Sequence, residues 1–148
     1  MAEFRLQVLL DLAHRRLDAA TTELQRLRGN WQSAQDKLEQ LKNYESEYAA
    51  SLEKRLADGI GVPQLNDYRL FLTKLATAIA AQMEEVKRRQ KLWETEHVSW
   101  LALRQKQQAL EVLGERHIAA EAMLETKREQ KQQDEFASRA GKAKPLQD

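Results

Sequence analysis

Apolar residues recur along the first part of the chain in alternating steps of four and three. The series reads Leu6, Leu10, Ala13, Leu17, Ala20, Leu24, Leu27, Trp31, Ala34, Leu38, Leu41, Glu45, Tyr48 and Leu52. Only Glu45 is polar, and Tyr44 beside it is expected to rotate into the row at that point. A period of 3.5 residues held over this distance predicts a coiled-coil seam, narrower than the stripe of an ordinary globular helix. A second stretch keeps one row at period seven: Leu65, Leu72, Ile79, Val86, Trp93 and Trp100. Its companion row is Tyr68, Leu75, Gln82, Arg89, Glu96, Leu103, Leu110, His117 and Leu124. That row turns polar from Gln82 to Glu96, which predicts loose or hydrated packing midway along the pair.

Between the two patterns lies Asp58-Gly59-Ile60-Gly61-Val62-Pro63. Glycine after a helical run ends the helix, and a proline soon after discourages its resumption. The pattern therefore predicts a single coiled-coil domain over 1–148, with a helix at 3–57, a turn at 58–63 and a helix at 64–138. From Thr126 onward apolar spacing is lost, and residues 139–148 are expected to form a flexible tail. Two helices joined by a tight turn run antiparallel, so residue i faces roughly residue 121 − i. At 1.5 Å per residue the helices measure ~80 Å and ~110 Å, and the second overhangs the first. The fold class is thus all-α, two long helices in an antiparallel coiled coil. Its core is thin, since each helix buries one stripe.

Composition agrees with long helices. Charged residues make up 32% of the chain, while it holds only 5 Gly and 2 Pro. Average usage would give about 10 and about 7 in a chain of this length. The absence of cysteine excludes disulfides and thiolate metal sites. Lys plus Arg number 24 and Asp plus Glu 23, a net charge of +1 that argues against a nucleic-acid partner. No apolar run approaches the roughly 20 residues that span a bilayer. Met1-Ala2-Glu3-Phe4-Arg5 lacks the layout of a signal peptide. A cytoplasmic protein is expected.

No catalytic constellation is legible, and the expectation is a non-enzyme without cofactor or metal. His14, His97 and His117 are scattered and lack an i,i+4 partner of metal-ligand type. Gly59-Ile60-Gly61 stops a helix and does not open one after a strand, so it is no phosphate cradle. Arg15-Arg16 and Lys87-Arg88-Arg89-Gln90-Lys91 are interleaved with acids and read as solvated faces. Asp11 with Arg15, Glu84 with Arg88 and Glu85 with Arg89 are i,i+4 pairs in the favourable order. The aromatic residues carry more. Trp31 and Trp93 fall in one layer of the seam. Tyr44 and Phe71 fall beside it, near the turn, so that end carries more apolar surface than its seam requires. Such a surplus is a candidate binding surface.

Several stretches resemble the flagellar FliJ family, small coiled-coil proteins of the flagellar type III export apparatus. They are Phe4-x-Leu6-x-x-Leu9 with Asp11-Leu12-Ala13, Leu41-x-x-Tyr44-x-x-x-Tyr48, Ala57-Asp58-Gly59-Ile60, Phe71-x-x-x-Leu75-x-x-Ala78-Ile79, and Asp134-Glu135-Phe136-Ala137-x-Arg139-Ala140. Their order and spacing together are fairly specific. The resemblance implies a hairpin similar to the central stalk subunit of rotary ATPases. It implies that the end holding both termini enters and stimulates the ring of the export ATPase FliI. It implies too that the turn end contacts the cytoplasmic domain of the export gate protein FlhA. Carried over by position, the gate-binding residues are Leu41, Tyr44, Tyr48, Phe71, Leu75 and Ala78. The sequence departs at Lys37 and Gln82, where the family leads one to expect Gln and His. Further implications are contact with export chaperones, including their recycling, and a peripheral place at the inner membrane of the flagellar base. The alternatives are the equivalent stalk of a virulence-type secretion system, which lacks the Tyr44, Tyr48 and Phe71 set, and a generic structural adaptor.

Overall fold

The computed structural model describes residues 2–143. It contains two helices, α1 (Ala2–Asp58, 57 residues) and α2 (Val62–Ala143, 82 residues), joined by a three-residue turn into an all-α hairpin. Among the described residues there is no strand. The turn is shorter than the expected 58–63, and its two ends have separate causes. Gly59 takes φ +96°, a conformation that lets the chain leave α1 and that side chains disfavour. The amide of Leu65 donates to the Gly61 carbonyl at 3.0 Å, which closes the first turn of α2. Pro63 then sits within that first turn, where its missing N–H leaves no bond unmade. α2 also runs past the expected end at 138. Residues 139–143, read from sequence as part of the tail, are helical, and 144–148 lie outside the described residues.

The chain divides into two compact units, each containing a stretch of both helices. One runs Leu17–Ala102 and includes the turn. The other combines the residues up to Arg16 with those from Leu103 onward.

In the turn-bearing unit the seam follows the sequence period. Every α1 seam position from Leu17 to Leu52 is buried or half-buried, as are Leu65, Leu72, Ile79, Val86, Trp93 and Trp100 on α2. Ala20, Ala34, Leu75 and Ile79 are the buried apolar residues. Glu45 keeps its half-buried place, while Tyr44 stays half exposed and does not replace it. Trp31 and Trp93 meet with ring centroids 5.5 Å apart, and the Arg28 guanidinium lies 4.8 and 5.4 Å from the two rings. The polar stretch of the companion row is packed, contrary to the looseness its composition implies. Gln82 is buried and donates its amide to the Ala34 carbonyl at 3.0 Å. Arg89 donates to the Asn30 carbonyl at 2.9 Å and to Glu85 at 2.8 Å. Trp100 donates its indole N–H to the Thr21 hydroxyl at 2.8 Å. Polar residues thus hold the seam by cross-helix hydrogen bonds to carbonyls and a hydroxyl, groups that are costly to bury unpaired.

In the other unit Leu6, Leu10 and Ala13 face Leu103, Gln107, Leu110, Gly114 and His117, none of them fully exposed. Gln107 is buried and donates to Glu111 at 2.6 Å, and the same amide lies 3.4 Å from His14 Nδ1. From Ile118 to Gly141 every residue is exposed. Leu124, placed in the seam by its period, is therefore 54% exposed. The period thus extends into a stretch of α2 that is exposed.

Candidate partner-binding surface

Aromatic residues of both helices gather next to the turn. Tyr48 is the hub. Its ring centroid lies 4.3 Å from Phe71, 4.8 Å from Tyr68 and 6.3 Å from Tyr44. Tyr44 also meets Phe71 edge-on at 5.9 Å, and Arg55 lies 5.7 Å over the Tyr68 ring. Edge-to-face and tilted contacts at these separations suit the ring quadrupole and hold the side chains in fixed orientations. Helical spacing explains the α1 half, since Tyr44 and Tyr48 are one turn apart and stack on one face. The α2 half follows from the antiparallel register, which sets Tyr68 and Phe71 opposite Tyr48.

The six residues singled out from sequence fare differently. Tyr44 is half exposed and Ala78 is exposed. Leu41, Tyr48 and Phe71 are half-buried, and Leu75 is buried. Phe71 is thus part of the packing as well as of the surface, though its position lies beside the seam. Leu75 supports the surface from beneath and presents little of itself. Tyr68 completes the ring cluster. Sequence reasoning placed it in the companion row and left it off the surface, although its aromatic character next to the turn was a usable signal. Exposed Leu70 and Leu56 add apolar area in the same unit.

The second unit carries its own exposed apolar residues. Phe4, Val8 and Leu12 recur at i,i+4 spacing on α1, and Val112, Leu113 and Ile118 are exposed on α2. Phe4, Leu6, Leu10, Gly114 and Ile118 line an open groove of about 840 Å³.

In the second basic run Lys87, Arg88 and Arg89 have local partners. Arg88 and Arg89 both bind Glu85, and Lys87 lies 3.5 Å from Glu84. The expected Glu84–Arg88 pair thus gives way to Glu85, and Asp11 accepts a hydrogen bond from Gln7 at 2.9 Å. The two arginines hold the Glu85 carboxyl well below its usual range, at about 2. Arg26 likewise binds Glu23 and lowers its carboxyl. Guanidinium groups so engaged are poorly placed to take phosphates. Among the described residues no helix is long and apolar enough to cross a membrane.

Comparison with known proteins adds a family. Residues 1–145 match the family model described as Flagellar FliJ protein. Proteins named Flagellar FliJ protein from Salmonella typhi and from Escherichia coli (strain K12) are each 31% identical to the chain over 140 residues. The alignment covers 95% of the chain and 95% of either relative. No solved structure is matched.

Proposed function

The chain belongs to the flagellar FliJ family, and from that premise we propose that it is a non-enzymatic component of the flagellar protein export apparatus. The turn-bearing unit binds the export gate, the cytoplasmic domain of FlhA, through Tyr44, Tyr48 and Phe71, flanked by Leu41 and Ala78 and backed by Leu75. The unit holding residues 2–16 and 103–143 engages and stimulates the export ATPase ring of FliI. Contact with export chaperones and a peripheral position at the cytoplasmic face of the inner membrane follow from the same role.

The reading rests chiefly on one observation. Tyr44 keeps half its surface in solvent while its ring is steadied by Tyr48 and Phe71. An aromatic side chain already held in place loses little entropy when a partner covers it, which suits a binding anchor. The exposed Phe4, Val8 and Leu12 row supports a second, separate contact for the other unit. The relatives' flagellar name favours a flagellar partner set over that of a virulence-type system.

The test measures affinity of the full chain and its Tyr44→Ala variant for the gate's cytoplasmic domain. In parallel, stimulation of ATP hydrolysis by the cognate export ATPase is recorded. Weakened gate binding with intact stimulation supports the assignment. Unchanged gate affinity removes Tyr44 from the interface.

A further inference from the structure

We propose that Glu3, His117 and Glu121 form a site for a divalent first-row transition ion, zinc being the best fit, that ties the first turn of α1 to α2. His117 and Glu121 are four residues apart and so lie one above the other on one face of α2. His117 Nε2 lies 3.2 Å from Glu121 Oε1 and 4.0 Å from Glu3 Oε1, the latter brought across from α1. One ligand atom from each of the three lies within 4.8 Å of the others.

A second observation points into the same space. His117 Nε2 is shielded from solvent yet has no hydrogen-bond partner, although two carboxylates flank it. A buried unpaired ring nitrogen is costly, and a metal ion bound to its lone pair would satisfy it. One imidazole with two carboxylates suits a borderline ion such as Zn²⁺, whereas Ca²⁺ and Mg²⁺ prefer oxygen alone. Glu3 and Glu121 are exposed, which leaves room for water as a further ligand.

His14 provides an internal contrast. Its Nδ1 lies 3.4 Å from the Gln107 amide, and Glu111, 3.4 Å from its Nε2, is the one carboxylate paired with it. That cluster brings one carboxylate to its histidine, where the His117 cluster brings two. The role inferred for the His117 cluster is structural, since it fastens the start of α1.

The experiment titrates zinc into the full, tag-free, chelator-treated chain by calorimetry. Hydrogen exchange of residues 2–10 is followed with and without the ion. The expected result is one zinc per chain and slower exchange at 2–10 when it is bound. His117→Gln and Glu121→Gln should each weaken binding at least tenfold, since losing even an outer-shell partner of a metal costs about 10–100-fold. His14→Gln should leave affinity unchanged. These are exposed or half-exposed polar positions, and unchanged helicity by circular dichroism confirms that each variant folds. No saturable binding at equimolar zinc would overturn the proposal. So would binding that survives His117→Gln, or binding lost with His14→Gln.

Discussion

Tyr44 and Phe71 look equivalent in sequence, each an aromatic residue beside the seam, but they differ in surroundings. Tyr44 is 50% exposed and touches Tyr48 only at 6.3 Å, whereas Phe71 packs on Tyr48 at 4.3 Å. Tyr44→Ala should therefore cost under ~1 kcal/mol of stability, the scale of a surface site. Phe71→Ala should cost about 1–2 kcal/mol, within the usual range for losing partly buried contacts. Leu75→Ala, at a position only 7% exposed, should cost about 2–3 kcal/mol. Gate binding should rank otherwise. An interface anchor truncated to alanine loses about 2 kcal/mol or more, roughly thirtyfold in affinity. Tyr44→Ala should show that loss with a nearly normal melting temperature. If Tyr44→Ala melts as early as Leu75→Ala, the ring belongs to the core and the separation of roles fails. His117, expected from sequence to lack an i,i+4 partner of metal-ligand type, has one in Glu121, 3.2 Å away. Its i,i+4 neighbour is a glutamate, a common helical spacing, and only the hairpin adds Glu3 from the other helix.

Within the elements, the two glycines of α1 and the turn make opposite predictions. Gly29 lies inside α1 with nothing within 4 Å of where a Cβ would stand. Gly29→Ala should stabilise the protein by up to about 1 kcal/mol through helix propensity alone. Gly59 has equal space but φ +96°. Gly59→Ala should destabilise by about 1–2 kcal/mol, because a Cβ strains left-handed backbone. Urea unfolding of the two variants checks both signs, and a stabilising Gly59→Ala would mean the turn adopts another geometry. α2 makes an electrostatic prediction. Glu85 accepts from Arg88 and Arg89, which lowers its carboxyl from 4.5 to about 2. A lowered folded-state value means that the pairing stabilises above pH 4.5 and that this stabilisation is lost as pH falls through about 2. Arg89 also reaches the Asn30 carbonyl, so Glu85 positions a cross-helix bond. The melting-temperature gap between wild type and Glu85→Gln should be present at neutral pH and close as the pH approaches 2. A gap that persists unchanged in strong acid would exclude the ion pair as its source.

For the whole molecule, the two units carry separable contacts under the proposed function. Ending the chain after Leu110 removes the exposed stretch of α2 together with Gly114, Ile118 and the groove they line with Phe4. It leaves the turn-bearing unit, Leu17–Ala102, complete. The shortened chain should bind the gate domain with near-normal affinity and lose its stimulation of the export ATPase. Full stimulation by the shortened chain would show that the roles of the units are misassigned. Retained helicity in the turn-bearing unit, followed by the Trp31 and Trp93 signals, distinguishes that result from simple unfolding.

The helices, the antiparallel register and the seam were determined by the sequence alone. A 3.5-residue apolar period and a glycine–proline break are local properties, and burial of one stripe per helix follows from them. The layer of Trp31 with Trp93 was legible for the same reason, since a tight turn fixes which residues face each other. What Gln82, Arg89 and Phe71 do was decided only in three dimensions. A polar residue in a seam is hydrated or packed according to whether the opposite helix offers a carbonyl in reach, as Ala34 and Asn30 do. An aromatic residue beside a seam is surface or core according to the ring it meets. Leu124 follows the same logic, since it keeps the apolar spacing and yet stands 54% exposed. Periodicity specifies which face a residue occupies, and the partner across the hairpin specifies what that face is worth.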